Sequence, residues 1–155
     1  MTKAEPDAPR QVCTFVLDDS LFAIDVNTVQ EVLRFQELTP VPLAPLSVAG
    51  LMNLRGHIVT TIDLRTRLAL PARPADMEPA NIVIRDLGTT VSFLVDEVGD
   101  VVDVDADRFE PTPSTLRPAI RRVVRGLYKL RGELLLLMDP RSVIDLERTL
   151  LGTLH

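Results

Sequence analysis

The chain has no tryptophan, one tyrosine, one cysteine and two histidines among 155 residues. Aromatics at 4% leave few platforms on which bases or sugar rings could stack, which argues against single-stranded nucleic acid as a ligand. A net charge of −5 lacks the basic footprint that phosphate binding normally shows. The lone Cys13 cannot close an internal disulfide, so a reducing compartment is expected. His57 and His155 form no cluster with cysteine at metal-ligand spacing, and neither a Gly-x-Ser-x-Gly elbow nor a phosphate-binding glycine loop is present. The expectation is therefore no catalytic residue, no metal and no cofactor. The longest apolar run, Leu134–Met138, has strand length and falls far short of the ~20 residues a membrane helix needs. A cytoplasmic protein without membrane insertion is expected.

What remains is ordinary for a folded protein: 46% hydrophobic and 25% charged residues. The length suits one domain, or two small modules sharing a core. The first ten residues hold prolines and charges without an apolar centre, so they read as a disordered lead-in rather than a signal peptide. The expected division is a disordered segment over 1–11, a folded domain over 12–151 and a tail over 152–155.

Short apolar runs with turn residues between them dominate the pattern. Strands are expected at 12–17 and 21–24 around the polar turn Asp18-Asp19-Ser20. Asn27 and Gln30 have capping-box spacing, and Val26, Val29, Val32 and Leu33 fall at helical offsets, so one or two amphipathic helical turns are expected there. Pro40, Pro42 and Pro45 forbid its continuation. Further strands are expected near 49–54, 58–62, 81–86, 90–95 and 98–104, with a hairpin of 123–130 and 134–138 around Arg131-Gly132. Asp63 is expected to cap a short helix over 64–68, and Asp139-Pro140 to start a final helix whose stripe includes Val143, Leu146, Leu150 and Leu151. Periodicity alone gives an all-β barrel or sandwich.

The most informative stretch is Gly50-Leu51-Met52-Asn53-Leu54-Arg55-Gly56-His57-Ile58-Val59-Thr60-Thr61-Ile62-Asp63-Leu64-Arg65. It reads as two apolar strands joined by an Arg-Gly turn, where Gly56 allows a positive φ and Arg55 points outward. The order Gly-x-x-Asn-Leu-Arg-Gly-x-Ile-Val-x-x-Ile-Asp-Leu-Arg resembles the core motif of the CheW-like domain. Val29-Gln30-Glu31-Val32 matches that family's Val-x-Glu-Ile/Val segment, and Val95-Asp96-Glu97-Val98-Gly99-Asp100-Val101 its Val-Asp-x-Val-x-Asp-Val segment. The resemblance spans Val12 to about Leu146. Thr60 departs from it, since the family usually has proline there; Ser92, often glycine, is a smaller departure. Thr60 leaves open a copy serving another kinase pathway, such as twitching or developmental signalling.

The resemblance implies a fold of two packed five-stranded SH3-like barrels, each with its own core. It also implies a non-enzymatic adaptor whose partners are the cytoplasmic tip of a methyl-accepting chemoreceptor and the regulatory domain of a CheA-type histidine kinase. Carried onto this chain, the receptor-contact arginine is Arg55, with its turn fixed by Gly56. Glu31 would be a carboxylate at an interface rim. Val98, near what reads as a hairpin turn, would line an apolar groove with Val29 or Val32, and a receptor helix would lie in it. These residues are expected to gather near Arg55.

A rival reading is a small-ligand or enzymatic barrel with Arg55, His57 and Asp63 in one cleft. An extended strand separates the last two by roughly 20 Å, which disfavours it. Charge is uneven as well: seven acids and one arginine from Asp96 to Glu110, then six basic residues and no acid from Arg117 to Arg131. Either the two runs neutralise each other within the fold, or they are complementary docking patches.

Overall fold

The structure, a computed structural model, describes residues 9–152, with side chains to residue 148. The expected lead-in over residues 1–8, the tail over 153–155 and the side chains of Leu150 and Leu151 lie outside the described residues. Among the described residues are eleven strands and three α-helices: β1 Gln11–Leu17, β2 Ser20–Asp25, β3 Val29–Arg34, β4 Val48–Leu54, β5 His57–Asp63, α1 Leu64–Arg67, β6 Ala80–Asp86, β7 Thr89–Val95, β8 Glu97–Asp103, β9 Phe109–Glu110, α2 Pro118–Arg121, β10 Val124–Leu130, β11 Glu133–Met138 and α3 Pro140–Gly152.

The strands form two sheets. One has five strands in the order β3-β6-β7-β5-β4, and the other six in the order β8-β1-β2-β11-β10-β9. The sixth strand is the two-residue β9, which pairs with Tyr128 and Leu127. At that pairing Gly126 is required, because a Cβ there would fall on the Phe109 ring and the Glu110 carbonyl. The mainly-β architecture expected from the sequence is what the chain adopts, with the count of one sheet raised by this short edge strand.

The period-two alternation of each strand divides its side chains between two cores. Phe22 and Ile24 on β2, Leu136 and Met138 on β11, and Ile82 and Ile84 on β6 all enter one large core, which Phe15, Phe93 and Val143 of α3 share. Their neighbours turn the other way. Ala23, Leu135 and Leu137 join Tyr128 and Phe109 in a small core on the six-stranded sheet. Val83 joins Met52 and Val59 in another on the five-stranded sheet. Each sheet does have a core of its own, but the largest lies between the sheets.

Two local expectations are corrected. Residues 26–33 are not helical: a single 3-10 turn, Val26–Thr28, is followed by β3. Its cap is Asp25, which accepts from the Asn27 N–H at 2.9 Å, rather than Asn27 acting with Gln30. The pairing of β3 with β6 is interrupted by a bulge between Val29 and Glu31. The bulge puts Val29 and Val32 on one face three residues apart, which imitates a helical spacing. Second, Val95 to Val98 is not a hairpin. Strand β7 pairs with β5 and β6, whereas β8 pairs with β1, so the chain passes from one sheet to the other at Asp96. Other expectations hold: Asp63 caps α1 by accepting from the Arg65 N–H at 3.0 Å, and Asp139 accepts from the Arg141 N–H at 3.1 Å at the start of α3.

Candidate functional site

The Arg-Gly turn has the geometry its sequence requires. Leu54 pairs with His57, and both intervening residues have positive φ, +51° at Arg55 and +86° at Gly56, as a type I′ hairpin turn needs. The Asn53 side-chain carbonyl accepts from the Gly56 N–H at 2.9 Å and holds the turn closed. Arg55 is thus a long side chain in a backbone region that non-glycine residues seldom occupy.

Its guanidinium meets Glu31. Nη1 donates to Oε2 at 2.5 Å and Nη2 to Oε1 at 2.7 Å, a parallel two-bond fork. The pair is solvent-facing on the arginine side, which is 68% exposed against 20% for the glutamate. The Arg55 hydrogen bonds, opposed by some desolvation, hold the Glu31 carboxyl below its ordinary pKa. Strand β3 is one edge of the five-stranded sheet and the β4–β5 hairpin ends at the other. The fork therefore ties the two edges together and requires the sheet to curl on itself.

The six residues singled out from the sequence do not form one cluster. Glu31 pairs in register with Val83 and faces the small core of the five-stranded sheet, at whose rim it meets Arg55. Val29 and Val32 pair with Ile84 and Ile82 and face the opposite way, toward the large core. Val29 and Val98 are partly buried against that core, so Val98 is better packed than a hairpin position would allow. Val32 remains 44% exposed. Arg55, Gly56 and Glu31 thus lie on one side of β3, and the three valines on the other.

Val32 and Val98 do share a cleft of about 450 Å³, with Leu33, Arg34, Phe35, Glu78, Pro79, Ala80, Asp96 and Glu97. Its two walls are sheet edges, since among the described residues β3 pairs only with β6 and β8 only with β1. Phe35, 42% exposed, is its largest apolar side chain. Sequence reading passed over Phe35 because it follows the last residue of β3, outside the matching Val-x-Glu-Val segment.

Under the cleft sits a buried charge network. Asp96 accepts from Arg65 Nε at 2.8 Å, Arg65 Nη2 at 2.6 Å, Arg73 Nε at 3.1 Å and the Asp18 N–H at 2.9 Å. Arg65 Nη1 also donates to the Pro71 carbonyl at 3.0 Å. Burial alone would raise the Asp96 carboxyl, but the hydrogen bonds from Arg65, Asp18 and Arg73 hold it below its ordinary pKa, and the bond to Asp96 raises that of Arg65. The network joins the β1–β2 turn, α1, the loop after it and the crossover between sheets. The signal for it was the charged residue closing the apolar run Phe93-Leu94-Val95-Asp96.

Other positions are readily placed. Thr60 is paired on both sides, with Leu51 and Val91, where proline could donate to neither neighbour. The buried Ser92 hydroxyl donates to the Asn81 side-chain oxygen at 3.0 Å. His57 is exposed beside Leu54, Ile58 and Arg85, whereas Asp63 caps α1 at the far end of β5, so Arg55, His57 and Asp63 share no cleft. Between the acidic and basic runs, Lys129 pairs with Glu110 at 3.4 Å. Among the described residues no group of acidic, histidine or cysteine side chains is placed to hold a metal ion, and no helix is long and apolar enough to cross a membrane.

Residues 11–148 match the profile of the CheW-like domain. The chemotaxis protein CheW of Rhizobium meliloti is 30% identical over 138 residues, covering 89% of this chain and 89% of its own length. That of Bacillus subtilis is 30% identical over 144 residues, covering 93% and 92%. The crystal structure of the scaffolding protein TtCheW from Thermoanaerobacter tengcongensis superposes with a TM-score of 0.77 at 27% identity, over 85% of this chain and 90% of that one.

Proposed function

The chain belongs to the CheW-like domain family, and from that premise we propose that it is a non-catalytic coupling adaptor. It joins the cytoplasmic tip of a chemoreceptor to the regulatory domain of a CheA-type histidine kinase, in the cytoplasm beside membrane-attached receptor arrays. The observation that carries the reading is Arg55, held by Glu31 on a left-handed turn position and otherwise open to solvent. Such a guanidinium loses little conformational freedom on binding, and its remaining N–H donors suit a helical tip rich in carboxylates and amides. Glu31 is then the positioning residue for Arg55 rather than a second contact.

The cleft between β3 and β8 supports a second contact for the same partner. Its apolar wall of Val32, Phe35 and Val98, with Val29 behind, suits one stripe of an amphipathic helix. No reaction is needed. Holding the kinase beside the receptor raises its effective concentration there, and receptor conformation then biases the kinase through a coupling free energy.

A pull-down with a receptor-tip fragment and a kinase regulatory domain tests this, using wild type, Arg55→Ala and Glu31→Ala with thermal melts as folding controls. Wild type retains both partners and Arg55→Ala loses the receptor fragment while staying folded. Failure of wild type to bind either partner ends the coupling reading.

A further inference from the structure

Arg67 of α1 takes no part in the network around Asp96. It lies between two other buried groups, Ser47 and Glu147, which are 2% and 3% exposed. Arg67 Nη2 donates to the Ser47 hydroxyl at 2.9 Å, and Nε stands 2.8 Å from Glu147 Oε1 on α3. The second contact is a close ion pair, and among the described residues no further donor meets either Glu147 oxygen. Asp96 accepts four hydrogen bonds. Both charges are largely out of water and each relies on the other, so removing either one loosens the elements the pair joins.

What it joins gives it a consequence. Ser47 ends the loop between β3 and β4, and its carbonyl accepts from the Asp63 N–H at 2.7 Å. Upstream, Thr39 exchanges hydrogen bonds with Leu51 at 2.9 and 2.8 Å. Between these anchors the only backbone bonds among the described residues are short-range, Ala44 N–H to the Val41 carbonyl and Val48 N–H to the Pro45 carbonyl. The span carries Leu43 at φ +64°, and both Leu43 and Leu46 are 91% exposed.

We propose that Glu147 is a positioning residue for this loop: through Arg67 and Ser47, the seating of α3 sets how Leu43 and Leu46 are presented. Anything that lifts α3 loosens the leucine loop, and by reciprocity anything that clamps the loop seats α3.

Hydrogen exchange of the full chain, followed by mass spectrometry, tests it. Glu147→Gln keeps the shape and removes the charge; it raises exchange about tenfold in peptides covering 40–48 and 140–148 and leaves β1–β2 peptides at wild-type rates. Ser47→Ala raises exchange at 40–48 alone, and the swap Arg67→Glu with Glu147→Arg restores protection at both segments. Glu147→Gln loosening only the helix, or raising exchange equally everywhere, overturns the proposal. Should Glu147→Gln not fold, Ser47→Ala decides, and wild-type exchange at 40–48 in that variant overturns it too.

Discussion

Arg55 and Arg65 belong to one motif, and each grips a carboxylate with two nitrogens, yet they stand in opposite surroundings. The Arg55–Glu31 pair is 68% and 20% exposed, and the Arg65–Asp96 pair 7% and 4%. In the first, water screens the attraction and the fork aims a donor outward. In the second, both charges have left water, and every hydrogen bond around Asp96 is needed to offset that loss. The same chemistry thus serves recognition at the turn and architecture at the crossover. Two identical residue types in one motif cannot be assigned the same role from spacing; burial assigns it.

The comparison breaks most sharply at Asp96. Asp96→Ala takes from the buried Arg65 its main partner and leaves Arg73 with Asp63 alone, which costs about 3–5 kcal/mol. In a chain of this size a thermal melt should register a drop on the order of 10 °C. A wild-type melting temperature in that variant would mean that the crossover is held by packing alone.

Acid sharpens the same point. The Asp96 carboxyl is held below its unfolded value, so its contribution is complete above the unfolded pKa of roughly 3.9 and is lost as pH falls through the folded one. Denaturant titrations below pH 5 should show wild type losing stability more steeply than Asp96→Asn, which has no charge there to lose. Parallel pH profiles would contradict the assignment.

At the turn the effects on stability are smaller. Gly56→Ala places a Cβ in open space but at φ +86°, so its cost is confined to backbone strain, about 1 kcal/mol. Chemical denaturation should find that loss without a change in m-value. Arg55→Ala comes last on the stability scale, with a melting temperature close to wild type. Its effect appears in binding, where a tenfold or greater loss of receptor-fragment affinity is expected.

These contrasts also show what sequence could carry. Turns, caps and strand alternation were legible because each is a local rule: Gly56 shapes one turn, Asp63 and Asp139 cap their helices, and β2, β6 and β11 alternate cleanly. The site was only partly legible. Strand β3 was read as helix because its bulge puts Val29 and Val32 three residues apart on one face. The Val95–Val98 crossover looked like a hairpin because a single residue connects strands of different sheets. Neither the Arg55–Glu31 fork nor the separation of the valines from it follows from local pattern, since both depend on which edges of a curled sheet meet. Arg65 was visible as part of the motif, but its partner lies 31 residues away across the crossover.

The most direct test of the recognition role is a calorimetric titration of a receptor-tip fragment into folded Arg55→Ala and Arg55→Lys. The account predicts that both bind at least tenfold more weakly than wild type, because lysine cannot reproduce the planar fork that Glu31 orients. Wild-type affinity in Arg55→Ala, with the fold intact, would contradict it.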